Sequence, residues 1–164
     1  MKKTIFLTGL LSIIGSNFGF SATTALQNLT ITIPTISNIT TSGNPAALSV
    51  NLNADGTGST TDKTTTYTVT ANTGAKGTLK ITGAITSGGD MPENTSLTAN
   101  LASKAGSSAG EQILTTKTTD LVTKLPTLLS DTGVITYGFN ITNGWTVPAQ
   151  TINRTVTLTL TSGS

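Results

Sequence analysis

Thr155-Val156-Thr157-Leu158-Thr159-Leu160-Thr161 alternates a hydroxylated β-branched residue with an aliphatic one at every step. In an extended chain successive side chains point to opposite faces, so this stretch has one apolar and one hydroxylated face. A helix would scatter the same aliphatics to both sides of its axis. Moving back toward the N-terminus, the period recurs at Ile135, Tyr137, Phe139 and Ile141, at Leu97, Ala99 and Leu101, and at Leu79 and Ile81. It continues at Tyr67, Val69 and Ala71, at Leu48, Val50 and Leu52, and at Leu29, Ile31 and Ile33. Between these runs lie Ser42-Gly43-Asn44-Pro45, Asp55-Gly56-Thr57-Gly58, Asn72-Thr73-Gly74, Ser87-Gly88-Gly89-Asp90 and Asn143-Gly144, which supply the residues that turns need. Short strands with one apolar face each must pack face to face. An all-β, antiparallel sandwich of about seven to eight strands is expected.

Composition agrees. Thr contributes 38 of the 164 residues, and Thr is stiff at χ1 and suited to the solvated face of a sheet. The absence of Cys removes disulfides, thiolate nucleophiles and iron–sulfur ligation, and the absence of His removes the usual zinc ligands and triad bases. No cofactor and no enzymatic activity is expected.

The formal charge of +2 belongs to the N-terminus. Lys2 and Lys3 precede the apolar run Thr4–Ile14 and the small residues Gly19 and Ser21, the layout of a secretory leader. The run is shorter than the roughly 20 residues of a membrane span. Cleavage is expected after Ser21, which leaves seven basic residues against seven acidic ones. A neutral exported chain gives nucleic acid nothing to bind.

One region departs from period two. Leu121, Val122, Leu125, Leu128 and Leu129 fall nearer to helical spacing, with Thr119 or Asp120 as an N-cap and Pro126 as a limit. A short helical crossover is expected there.

Candidate chemistry is sparse. Asn51, Asn53, Asp55, Gly56 and Asp62 occupy positions 1, 3, 5, 6 and 12 of a calcium-loop pattern. Asn at position 1, the short Asp at position 12 and strand-like flanks favour an ordinary hairpin loop over a metal site. Asp90 and Glu93 lie on one loop, whereas hydrolytic carboxylates face each other across a cleft. Trp145 follows Asn143-Gly144 near a loop tip, where an indole can stack on a sugar ring or plug the end of the core. Asp131-Thr132-Gly133 before Tyr137 is similar to the tyrosine corner of immunoglobulin-type sandwiches, with the Tyr two residues late.

The ends of the exported chain are the most informative. Leu29-Thr30-Ile31-Thr32-Ile33 forms an alternating run that Pro34 stops, and no charged residue occurs between Ala22 and Ala54. Exposed strands normally carry charges that discourage pairing, so this one is kept for a partner edge in its own domain or in another chain. In order of segments the chain resembles the cysteine-free major pilins of class 5 fimbriae, assembled by alternate chaperone–usher systems. The resemblance rests on the start Asn28-Leu29-Thr30-Ile31-Thr32, on Gly43-Asn44-Pro45-Ala46 to Leu52, on Gln112-Ile113-Leu114-Thr115-Thr116-Lys117, and on the ending Val156 to Leu160 with Ser162-Gly163-Ser164.

That resemblance implies an immunoglobulin-like sandwich lacking one strand, with Leu29, Ile31 and Ile33 as the anchors of a donor strand. It implies a leader over residues 1–21, an N-terminal extension over 22–35 and a sandwich domain over 36–164. Its partners would be further copies in a head-to-tail homopolymer, a periplasmic chaperone and an outer-membrane usher. A host or abiotic surface would be contacted from a cell-surface or extracellular fibre reached through the periplasm. The alternative is a self-contained binding module recognising carbohydrate or a surface protein, with Trp145 as ligand contact.

Overall fold

The structure is a computed structural model that describes residue 27, residues 29–74 and residues 77–163. The expected leader, its cleavage point and most of residues 22–28 lie outside them. Up to Thr32 the described residues form neither strand nor helix. The remainder, from Ile33 onward, is an all-β sandwich.

Five strands form one antiparallel sheet in the order β1 (Ile36–Thr41), β2 (Gly58–Asn72), β8 (Leu128–Ile141), β4 (Thr95–Leu101) and β6 (Gln112–Leu114). Four form the other, in the order β5 (Ser107–Ser108), β7 (Thr119–Leu125), β3 (Leu79–Ser87) and β9 (Thr155–Ser162). The alternating runs of β2, β3, β4 and β8 supply the core. Tyr67, Val69, Ile81, Ala99, Leu101 and Ile135 are all fully buried, while Thr residues take the opposite faces. On the outer face Thr68 hydrogen-bonds Thr132 across β2 and β8 at 3.1 Å, and Thr86 bonds Thr157 across β3 and β9 at 2.8 Å. Such cross-strand hydroxyl pairs are part of what stabilises a sheet whose outer face is solvated.

Three expectations need correction. The helical crossover over 118–129 does not form: Thr119–Leu125 is strand β7, and β8 begins at Leu128. The apparent helical spacing comes from bulges. The pairing of β7 with β3 slips at Leu79/Ile81 and again at Ile81/Thr82, and Lys124 adopts φ +57°. Each extra residue resets the alternation, so Leu121, Val122 and Leu125 all reach the core from an extended chain.

The second correction concerns Leu48, Val50 and Leu52. Residues 43–52 form no strand, so Asn51–Asp62 is not a hairpin between two strands but a turn leading into β2. The third concerns Leu29, Ile31 and Ile33, which are 81%, 75% and 74% exposed and belong to no strand. Between these two runs lies β1, which lacks a period-two pattern but pairs residue for residue with Tyr67–Asn72 of β2.

Candidate functional site

β1 covers only part of β2. Its register ends with Thr41 opposite Tyr67, and one further bond, from Ser42 N–H to Thr66 O at 2.9 Å, closes the pairing. Beyond it the β2 stretch Gly58–Thr65 has β8 on one side and, among the described residues, no strand on the other. On the opposite sheet β9 pairs with β3 alone among the described residues, none of which forms a strand along its second edge. Between them lies a groove of about 1400 Å³.

The floor of the groove comes from Leu97 of β4, from Tyr137, Phe139 and Ile141 of β8, and from Val156 and Leu158 of β9. Leu48, Val50, Val147 and Ile152 line it from the flanking loops. Phe139, Ile141, Val156 and Leu158 are only half-buried, although their alternation marks them as core residues. This end of the core is therefore unfinished: its apolar side chains have neighbours on one side and open space on the other. Arg154 is the one charged residue among those lining it.

Two buried polar atoms point the same way. Among the described residues Thr65 Oγ1 and Arg154 Nε are buried without a hydrogen-bond partner, and both residues line the groove. The rest of Arg154 is engaged, donating from Nη1 to Asn153 O at 2.9 Å and from Nη2 to Asp90 O at 2.8 Å. Buried polar groups are nearly always satisfied, so an orphan pair in one groove marks a place where the structure is incomplete. No sequence signal pointed to Thr65 or Arg154, because satisfaction of a hydrogen bond depends on neighbours rather than on residue type.

The far end of the sandwich is closed by a tyrosine, but not by the one expected. Tyr67 donates its hydroxyl to Ala102 O at 2.8 Å. A side chain at Gly133 would collide with that same carbonyl and with the Tyr67 ring, so the glycine of Asp131-Thr132-Gly133 makes room for the contact. Asp131 accepts from Ser103 Oγ at 2.9 Å and ties the neighbouring turn. Tyr137 is instead a groove residue that makes no hydrogen bond among the described residues. Burial pushes both phenols above their ordinary pKa.

The other candidate residues lie outside the groove or at its edge. Asp55 accepts from Thr57 N–H at 2.9 Å and from Thr57 Oγ1 at 2.7 Å, and these bonds hold its carboxyl below the usual range. Asn53 donates to Thr57 Oγ1, while Asn51 is exposed in the same turn. Asp62 is part of β2, where it accepts from Thr64 N–H and Oγ1. The oxygens of Asp55 and Asp62 thus serve their own backbone. Among the described residues no three acidic side chains converge. Asp90 accepts from Thr116 N–H at 2.6 Å and so joins two loops, while Glu93 is exposed.

Trp145 is 75% exposed and plugs nothing. It sits in a 3-10 turn, Gly144–Thr146, whose buried Gly144 donates to Gly56 O at 2.6 Å. Compared with family models, with curated protein sequences and with solved structures, the chain matches none, so its reading rests on the residues themselves.

Proposed function

We propose that the chain is a structural subunit of an exported bacterial surface fibre, polymerising when residues 25–33 of one copy fill the groove of the next. The observation that carries this reading is a complementarity of deficits. The sandwich has an aliphatic-lined groove beside an unpaired strand edge, and the same chain carries an exposed, charge-free, alternating segment with three aliphatics on one side.

The fit is physical. The uncovered stretch from Gly58 to Thr65 is about 26 Å long at the usual rise per residue, within one residue of the length of a strand spanning 25–33. Added to a free edge, such a strand would gain main-chain ladder bonds whatever its sequence, while Leu29, Ile31 and Ile33 would set its register in the apolar floor. Each anchor would contribute about 1.5–3 kcal/mol when fully buried. The contact joins two different surfaces, so each copy leaves one groove and one strand unsatisfied, and the assembly grows as a fibre. A chaperone strand could cover the same open edge before assembly, and the resemblance to chaperone–usher pilins implies an usher that delivers the subunits.

Deleting residues 22–33 tests the reading. Electron microscopy should show fibres from the full chain and none from the deletion, whose sandwich should still bind an added peptide of sequence 25–33. Fibres formed by the deleted chain would overturn it.

A further inference from the structure

Trp145 is not a side chain left loose at a loop tip. Gly144 is anchored to Gly56, Thr146 N–H and Oγ1 both donate to Asn143 O, and Asn94 Nδ2 donates to Thr146 Oγ1 at 2.9 Å. Asn94, held at φ +60°, accepts in turn from Thr142 N–H and Oγ1. The indole lies against Gly56 at φ +78°, where a Cβ would come within 2.6 Å of Nε1. Backbone without a side chain therefore supports one part of the ring, and most of its surface is left to solvent. Contact with Gly56 restricts the positions open to the ring, which lowers the conformational entropy that binding would cost.

Beside the glycine that supports the indole begins a shallow hollow of about 430 Å³, lined by Asn53, Thr57, Ser59, Asn140 and Thr142. No charged side chain lines it. Ser59 and Asn140 are opposite each other in the register of β2 and β8, and among the described residues neither side chain is used in a protein hydrogen bond. The indole Nε1–H is likewise without a protein acceptor among them.

We infer that the Trp145 turn and the adjoining hollow form a binding site for neutral carbohydrate. The chemistry is that of a pyranose: a ring with an apolar C–H face for the indole and a rim of uncharged hydroxyls for amide and hydroxyl side chains. The absence of charge among the lining side chains disfavours phosphate and carboxylate ligands, while Ile141 adds an apolar surface beside the amide and hydroxyl groups. The lining residues all come from one subunit, and Gly58 and Ser59 belong to the β2 stretch beside which the proposed donor strand would add.

Because Trp145 is the single tryptophan, its fluorescence reports on this site alone. The purified full chain is titrated with lactose, cellobiose, maltose and chitobiose. A saturable change in emission is expected with at least one of them. In the Ser59→Ala/Asn140→Ala double variant, which keeps the indole, the same sugar should bind about tenfold more weakly or worse. Leu128→Ser, at the opposite end of β8, should leave the titration as it is. Absence of a saturable change with all four sugars would overturn the inference, as would a double variant that binds as tightly as the original.

Discussion

Tyr67 does one thing that its neighbours in the alternating pattern, Val69 and Ala71, do not. Its ring is buried in the core as they are, and its hydroxyl ties β2 to Ala102. Tyr67→Phe removes the donor from a part-buried carbonyl and should cost about 0.5–1.5 kcal/mol in chemical denaturation. Tyr137→Phe should cost little, since its hydroxyl serves no protein acceptor among the described residues. Both phenols titrate above the ordinary 10.0 when folded, the neutral form being favoured by burial. Their contribution is therefore complete below pH 10 and is lost as the pH rises through the folded values. Melting temperatures should hold from neutrality to that point and fall beyond it, with a shallower fall in Tyr67→Phe. A melting temperature indifferent to alkali would contradict the burial argument. None of this could be read from the sequence, because period two assigns a tyrosine to a face without saying what its hydroxyl reaches.

At the scale of elements, alternation revealed most of the strands. Tyr67–Ala71, Leu79–Ile81, Leu97–Leu101, Ile135–Ile141 and Val156–Leu160 all lie in strands, because each has an apolar face and a neighbour to pair with. β7 was hidden by its bulges: two extra residues convert a period of two into something near 3.6, and Pro126 completes the disguise. The two accounts of this segment make opposite predictions at Lys124. In a helix interior Gly would destabilise by about 1 kcal/mol. At φ +57° in a bulged strand, Lys124→Gly should instead relieve strain and stabilise by about 1 kcal/mol. Equilibrium unfolding in denaturant gives the sign directly. Leu48–Leu52 and Leu29–Ile33 alternate as well as any strand yet pair with no strand among the described residues, since a sequence shows the readiness of a segment to pair and not the presence of an edge.

For the whole molecule, the two unpaired alternating runs and the half-buried side chains around the groove belong to one deficit. A core assembled from Phe139, Ile141, Val156 and Leu158 is left open along the edge that β1 does not reach. Leu29, Ile31 and Ile33 were legible as an alternating apolar run, and the groove is the socket we propose for them. The socket was not legible, because it is made by where β1 stops, by loops that lack strand pairing and by the two orphaned polar atoms of Thr65 and Arg154. The balance of seven basic and seven acidic residues beyond residue 21 and the absence of charge from Ala22 to Ala54 suit a strand that enters an apolar groove.

The absence of cysteine allows the pairing of strand and groove to be measured without background. Ile31→Cys in one preparation and Leu158→Cys in another are mixed, assembled and oxidised, and the products are separated without reductant. A disulfide joining the two chains, formed only in the mixture and lost when residues 22–30 are deleted from the Ile31→Cys chain, is the expected result. If the two cysteines placed in a single chain instead close within that chain at high dilution, and the mixture yields no joined pair, the strand is pairing with its own sandwich and the account is contradicted.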